Sequence, residues 1–143
     1  MDAIVAWREQ VAPIEAPDTG SLRGDIEAMI QATPDFGEDD RRMLAVISGL
    51  ATAAARDPEL NAAFKDHALE LPRRLVRQVL DHAVARGEIP AGRELDLVPD
   101  ILIGLNMLRI VLGEVPDRPF VRRVFEEIIL PLVTAPHDRA ETQ

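Results

Sequence analysis

Three histidines, His67, His82 and His137, are the side chains best suited to acid–base work or metal ligation near neutral pH. His67 and His82 fall within one expected helix, which sets them roughly 22 Å apart at 1.5 Å per residue, too far to grip one ion. His67 borders an apolar stripe and reads as a core-edge residue. No His-x-x-x-His, Glu-x-x-His or His-Glu-x-x-His spacing occurs, so zinc-hydrolase and di-iron bundle sites lack their ligands. The chain has no Cys, which removes thiolate zinc sites, thiol nucleophiles and disulfides. Glu38-Asp39-Asp40 and Glu126-Glu127 read as hydrated carboxylates at a helix start and on a helix flank. Arg73, Arg74 and Arg77 could hold an anion, but Glu70 and Asp81 stand at helical spacing and make a solvated, ion-paired face the simpler reading. Gly20, Gly24 and Gly37 follow no strand and precede no Gly-Lys-Ser/Thr, so they form no phosphate loop. The residue types therefore predict no catalytic centre, no metal and no cofactor, and turn attention from turnover to binding.

Composition narrows what is bound. Net charge is −9, from 25 acidic and 16 basic side chains, so the summed field repels a polyanion. Aromatic content is 3%, without Tyr, which leaves little to stack on exposed bases. DNA and single-stranded nucleic acid are thus not expected partners of these residues. A chain of 143 residues fits one domain able to bury roughly 70% of its unfolded surface. The longest charge-free stretch, 43–55, is thirteen residues, against about 20 for a membrane-spanning helix. The first residues lack the basic and long apolar regions of a secretory signal, which predicts a mature, soluble, cytoplasmic protein.

The elements that must position any binding site are all helices, because apolar residues recur at three- and four-residue intervals and no run alternates. A short first helix carries Ile4, Trp7 and Val11 and is stopped by Pro13 and Pro17. Asp18-Thr19-Gly20-Ser21 offers cap oxygens to a second helix, about 21–31. After the loop Thr33-Pro34-Asp35-Phe36-Gly37, Glu38, Asp39 and Asp40 suit the positive end of a third helix with Met43, Ile47, Leu50 and Ala54 on one face. Asp57-Pro58 opens a long fourth helix with the stripe Leu60, Phe64, Ala68, Leu71, Leu75, Val79, Leu80 and Ala83. Pro72 should kink it, and Gly87 should end it as a left-handed cap.

A fifth helix, about 96–112, is apolar on every side and must be covered all round. Asp117 and Pro119 open a sixth, in which Phe120, Val121, Val124, Phe125, Ile128, Ile129, Leu132 and Val133 recur as adjacent pairs every four residues. These two helices carry more apolar surface than a lone subunit of this size usually hides. Two copies packing them as a four-helix bundle about a two-fold axis would cover it. Ile103, Arg109, Phe120, Val121, Val124, Phe125, Ile128 and Leu132 are the expected homodimer contacts. The alternative is a fifth helix central to a monomeric bundle. Residues 136–143 form a polar tail.

Three segments, Asp18-Thr19-Gly20-Ser21-Leu22-Arg23-Gly24-Asp25, Ala55-Arg56-Asp57-Pro58-Glu59-Leu60 and Arg86-Gly87-Glu88-Ile89, resemble in type and order the C-terminal effector domain of TetR-like bacterial transcriptional regulators. The resemblance covers essentially the whole chain. It implies an all-α, six-helix domain over residues 1–135, with 1–12 the remnant of a helix that connects to a DNA-binding head missing before Met1. It also implies a repressor that binds DNA only through that head and responds when a small apolar effector enters a cavity among the second to fifth helices. Residue types nominate Trp7, Phe36, Met43, Phe64, His67, Leu71, Asn106, Met107 and Ile110 for its wall. Asn106 stands out as an uncharged polar side chain in an otherwise dry helix, where it must find a partner. The competing role is a stand-alone helical module for protein–protein interaction.

Overall fold

The computed structural model describes Ala6 and residues 15–136, with the backbone alone at His67. Trp7, most of the expected first helix and the polar tail lie outside the described residues. Within them, all regular structure is helical and forms five rods. These are α1 (Leu22–Ala32), α2 (Glu38–Ala54), α3 (58–85), α4 (Val98–Val111) and α5 (118–134).

At the starts of α1, α3 and α5 a side-chain oxygen receives one or two of the first orphan amides, whereas α2 and α4 begin after Gly37 and Leu97 without such a cap. Ser21 Oγ accepts from Gly24 N at 3.0 Å, Asp57 Oδ1 from Glu59 N at 3.0 Å, and Asp117 Oδ1 from Phe120 N at 3.1 Å. The stop after α3 is equally local: Gly87 takes φ 83°, and the Glu88 amide reaches back to the Ala83 carbonyl at 2.9 Å.

Two rods contain a π-helical turn. In α3, Lys65–Leu69 is π between Pro58–Phe64 and Glu70–Ala85; in α5, Val124–Ile129 is π between Arg118–Arg123 and Leu130–Thr134. Each precedes a proline, Pro72 or Pro131, whose ring crowds the carbonyl four residues earlier and whose missing N–H breaks the regular ladder. The distortion expected at Pro72 is thus a widened turn just ahead of it.

Two apolar clusters form. The larger joins α1, the end of α3, the start of α4 and α5 through Leu22, Ile26, Ile30, Val79, Leu80, Val98, Phe125 and Ile129. The smaller joins α2 to the start of α3 through Leu44, Ile47, Ala54 and Phe64, with Met107 and Ile110 of α4 packed on it. The paired pattern of α5 resolves into two stripes. Val121, Phe125, Ile129 and Val133 are buried in the subunit, whereas Ile128 and Leu132 are exposed. Helix α4 is not covered all round: Leu108 and Val111, with Leu97 and Leu112 at its two ends, are exposed.

Candidate ligand-binding site

Where the two clusters fail to meet, they leave a pocket of about 270 Å³. Its wall is built by the C-terminal end of α1 and the loop after it (Met29, Ala32, Thr33, Pro34, Phe36), by α2 (Leu44, Ile47), and by α3 from Ala68 to Val76. Helix α4 adds Leu102, Ile103, Asn106, Met107 and Ile110, and α5 adds Val121 and Phe125. The positions 103, 106, 107 and 110 are one helical face. Both π turns border the pocket, through Ala68 and Leu69 on one side and Phe125 on the other. A widened turn displaces side chains from the regular stripe, which is one reason the wall does not close.

Chemically the wall is dry. Among the described residues none on the wall is ionisable, and the polar side chains there are Thr33 and Asn106. Thr33 spends its hydroxyl proton on the Met29 carbonyl at 3.3 Å. Asn106 Oδ1 is buried and has no hydrogen-bond partner, as do His82 Nδ1 and Arg93 Nε among the described residues, but of these three only Asn106 lines the pocket. An unmet buried acceptor costs about 1–3 kcal/mol; the residue lines the pocket, but the oxygen itself is covered.

Of the residues expected on a pocket wall, Phe36, Asn106, Met107 and Ile110 line this one. Met43 and Phe64 belong to the smaller cluster behind it, and Leu71 is half-buried on α3 off the wall. Trp7 and the His67 side chain lie outside the described residues. Of the residues expected at a dimer contact, Ile103, Val121 and Phe125 line the pocket and Val124 is buried in the larger cluster. Half-buried Phe120 packs under Arg109, whose guanidinium sits 4.4 Å from its ring centre. Arg109 also donates to the Val115 carbonyl at 3.2 Å and pairs with Glu114 at 2.6 Å, so its charge is spent within its own chain. Ile103 was legible after all: once Asn106, Met107 and Ile110 share a face, the residue three before Asn106 must share it.

At the far ends of α1 and α3, two of the three segments that carried the family resemblance, 18–25 and 86–89, meet. Asp25 is fully buried; Thr19 donates to its Oδ1 from the amide at 2.6 Å and from the hydroxyl at 2.8 Å. Arg86 donates to Asp25 at 3.0 Å, Asp18 at 3.3 Å and Glu88 at 2.6 Å, and Glu88 accepts the Leu22 amide at 2.9 Å. Asp18, Asp25 and His82 also bring one potential ligand atom each within 4.8 Å of one another. Arg86 already holds both carboxylates, so the cation at this spot is a guanidinium. Hydrogen bonds from Leu22 and Arg86 hold the Glu88 carboxyl below its ordinary range.

Residues 16–128 match the family described as tetracyclin repressor-like, C-terminal domain. Curated relatives named uncharacterized HTH-type transcriptional regulators, from Mycobacterium bovis and two strains of Mycobacterium tuberculosis, are each 28% identical over 123 residues. That stretch is 82% of this chain and 57% of each relative, so the chain spans little more than half their length. No solved structure matches it. With the helical order, the motif segments joined at the clasp and a match across most of its length all agreeing, the chain belongs to the tetracyclin repressor-like C-terminal domain family.

Proposed function

We propose that this chain is the effector-binding and dimerising part of a transcriptional repressor, with a small apolar molecule held in the pocket between the two clusters. DNA contact is assigned to a helix-turn-helix head outside these residues, in keeping with the names of the relatives and the net charge of −9. The observation that carries the reading is the pocket itself: about 270 Å³, lined by apolar side chains and one polar group without a partner, close to the lower size of small-molecule sites.

A ligand regulates only by binding one state better than another. Helices α1 and α3 both line the pocket at one end and are joined by the Asp25–Arg86 clasp at the other. A molecule that spreads them therefore moves residues 15–21, the segment that leads into α1. Dimerisation is assigned to the apolar side chains that one subunit leaves uncovered: Leu97, Leu108, Val111 and Leu112 around α4, and Ile128 and Leu132 on α5. Because α4 packs on the π turn of α5, these positions belong to one pair of neighbouring helices.

Calorimetric melting with a panel of neutral lipophilic compounds tests the proposal. A binder raises the melting temperature in proportion to the logarithm of its concentration, and Met107→Trp, which fills the pocket, abolishes the rise. A panel without effect, or a rise indifferent to Met107→Trp, counts against it.

A further inference from the structure

Resting on the reading of the pocket as the effector site, we infer that the loop between α1 and α2, residues 33–37, is the door by which the ligand enters and leaves, and that Arg118 is its latch. The pocket wall is helical except at two places. These are Thr33, Pro34 and Phe36 of that loop, and Pro116 just ahead of α5. Exposure singles out the same end: Ala32, the last residue of α1, is exposed, whereas every other wall residue is buried or half-buried. Solvent therefore meets the wall most openly where the loop begins.

Arg118, the first residue of α5, reaches the loop from the Pro116 side. Its Nε donates to the Thr33 carbonyl at 2.9 Å, and a second guanidinium nitrogen lies 3.4 Å from an Asp35 carboxylate oxygen. Among the described residues, every other hydrogen bond of 33–37 stays local, to Met29 and Ile30 of α1 or to Asp40 and Arg41 of α2. Phe36 packs on the smaller cluster and keeps the α2 end seated, so the stretch that depends on Arg118 is 33–35. The ion pair is weak, because Asp35 is 91% exposed and the Arg118 side chain 41%, and water competes for both. The partly buried, charge-assisted bond to Thr33 is the stronger tie. Such a latch holds the loop shut most of the time and still breaks by thermal motion, as a lid requires.

Weakening the latch raises the open fraction, which multiplies entry and exit rates alike and leaves affinity almost unchanged. Stopped-flow fluorescence of the 143-residue chain with N-phenyl-1-naphthylamine, a neutral probe that brightens in apolar surroundings, reads both rates. In Arg118→Gln each rate is expected to rise about tenfold, with the dissociation constant within about threefold of the unmodified value. Asp35→Asn, at a solvent-facing position that leaves the core untouched, is expected to raise both about twofold. Arg123→Gln, which removes an exposed pair farther along α5, is expected to change neither. Unchanged rates in both loop variants, with the probe bound and its binding lost in Met107→Trp, overturn the latch and leave the effector-site reading intact. A rise in the exit rate alone overturns it too, because it makes Arg118 a support of the closed wall and not a gate. Failure of the probe to bind the unmodified chain overturns both.

Discussion

Arg86 sets a guanidinium nitrogen 3.0 Å from the carboxylate of Asp25, which has no solvent exposure and lies 61 residues earlier in the chain. Burial alone pushes the Asp25 carboxyl up. The amide and hydroxyl of Thr19, with Arg86, more than offset this and hold it below its ordinary range. Removing one partner of a buried pair leaves the other groups desolvated for nothing. Asp25→Ala is therefore expected to lower stability by about 3 kcal/mol, read as a drop in melting temperature. A change below about 0.5 kcal/mol, the scale of an ordinary surface substitution, would show the clasp to be decorative.

The caps were legible because each joins a short polar side chain to the residue types a helix start requires: Ser21, Asp57 before Pro58, Asp117 before Arg118-Pro119. Asn106 was legible for a similar reason, as a polar side chain in a helix with no other uncharged one. The destination of each apolar face was not. Val121 and Phe125 turn inward and Ile128 and Leu132 outward from one doubly apolar helix, and periodicity records that a face is greasy without saying what covers it. The π turns also escaped, since a proline signals a break in the ladder but not how the chain absorbs it. Nor did the motif segments announce that they touch, because Asp25 and Arg86 meet only through the packing of α1 on α3.

Acid should weaken the fold partly through Glu27, whose carboxyl is lowered from 4.5 to about 2 by hydrogen bonds from Arg122 and Gln31. The Arg122 nitrogens lie 2.7 and 2.8 Å from its oxygens and tie α5 to α1. With the folded-state value depressed, this stabilisation is complete above about pH 4.5 and is lost as pH falls through about 2. Urea unfolding across that window should show the unmodified chain losing more stability than Arg122→Gln, the two curves converging at the acid end. Asp25 and Glu88 contribute with the same sign in both proteins, so the difference between the curves reports the carboxylates that Arg122 pairs with, Glu27 at 2.7 Å and the more distant Glu126 at 3.4 Å. Parallel curves would refute the assignment.

If the uncovered side chains of α4 and α5 form the subunit contact, charge placed there must separate the subunits without disturbing either core. Leu112 is 62% exposed and Leu132 is 49% exposed. The double variant Leu112→Glu, Leu132→Glu is expected to sediment at half the mass of the unmodified dimer, with an unaltered helical circular dichroism spectrum. A variant that remains dimeric would move the contact to another face.

Two glycines inside helices should respond in opposite directions to the same substitution. Gly49 lies in α2 with nothing within 4 Å of where a Cβ would sit, so Gly49→Ala should gain roughly 0.5–1 kcal/mol from reduced backbone freedom in the unfolded chain. Gly24, in the first turn of α1, offers no such room. A Cβ there would lie 2.3 Å from Thr19 Oγ1 and 2.8 Å from Ser21 Oγ. Thr19 cannot retreat without giving up Asp25, and Ser21 cannot retreat without releasing the Gly24 amide that it caps. Gly24→Ala is therefore expected to destabilise by about 1–2 kcal/mol, the value of a lost cap or buried hydrogen bond, despite the better helix propensity of alanine. Melting curves of the two variants read the signs directly, and stabilisation by both would mean that the 18–25 segment yields to the methyl group and that its close packing is not what holds the clasp.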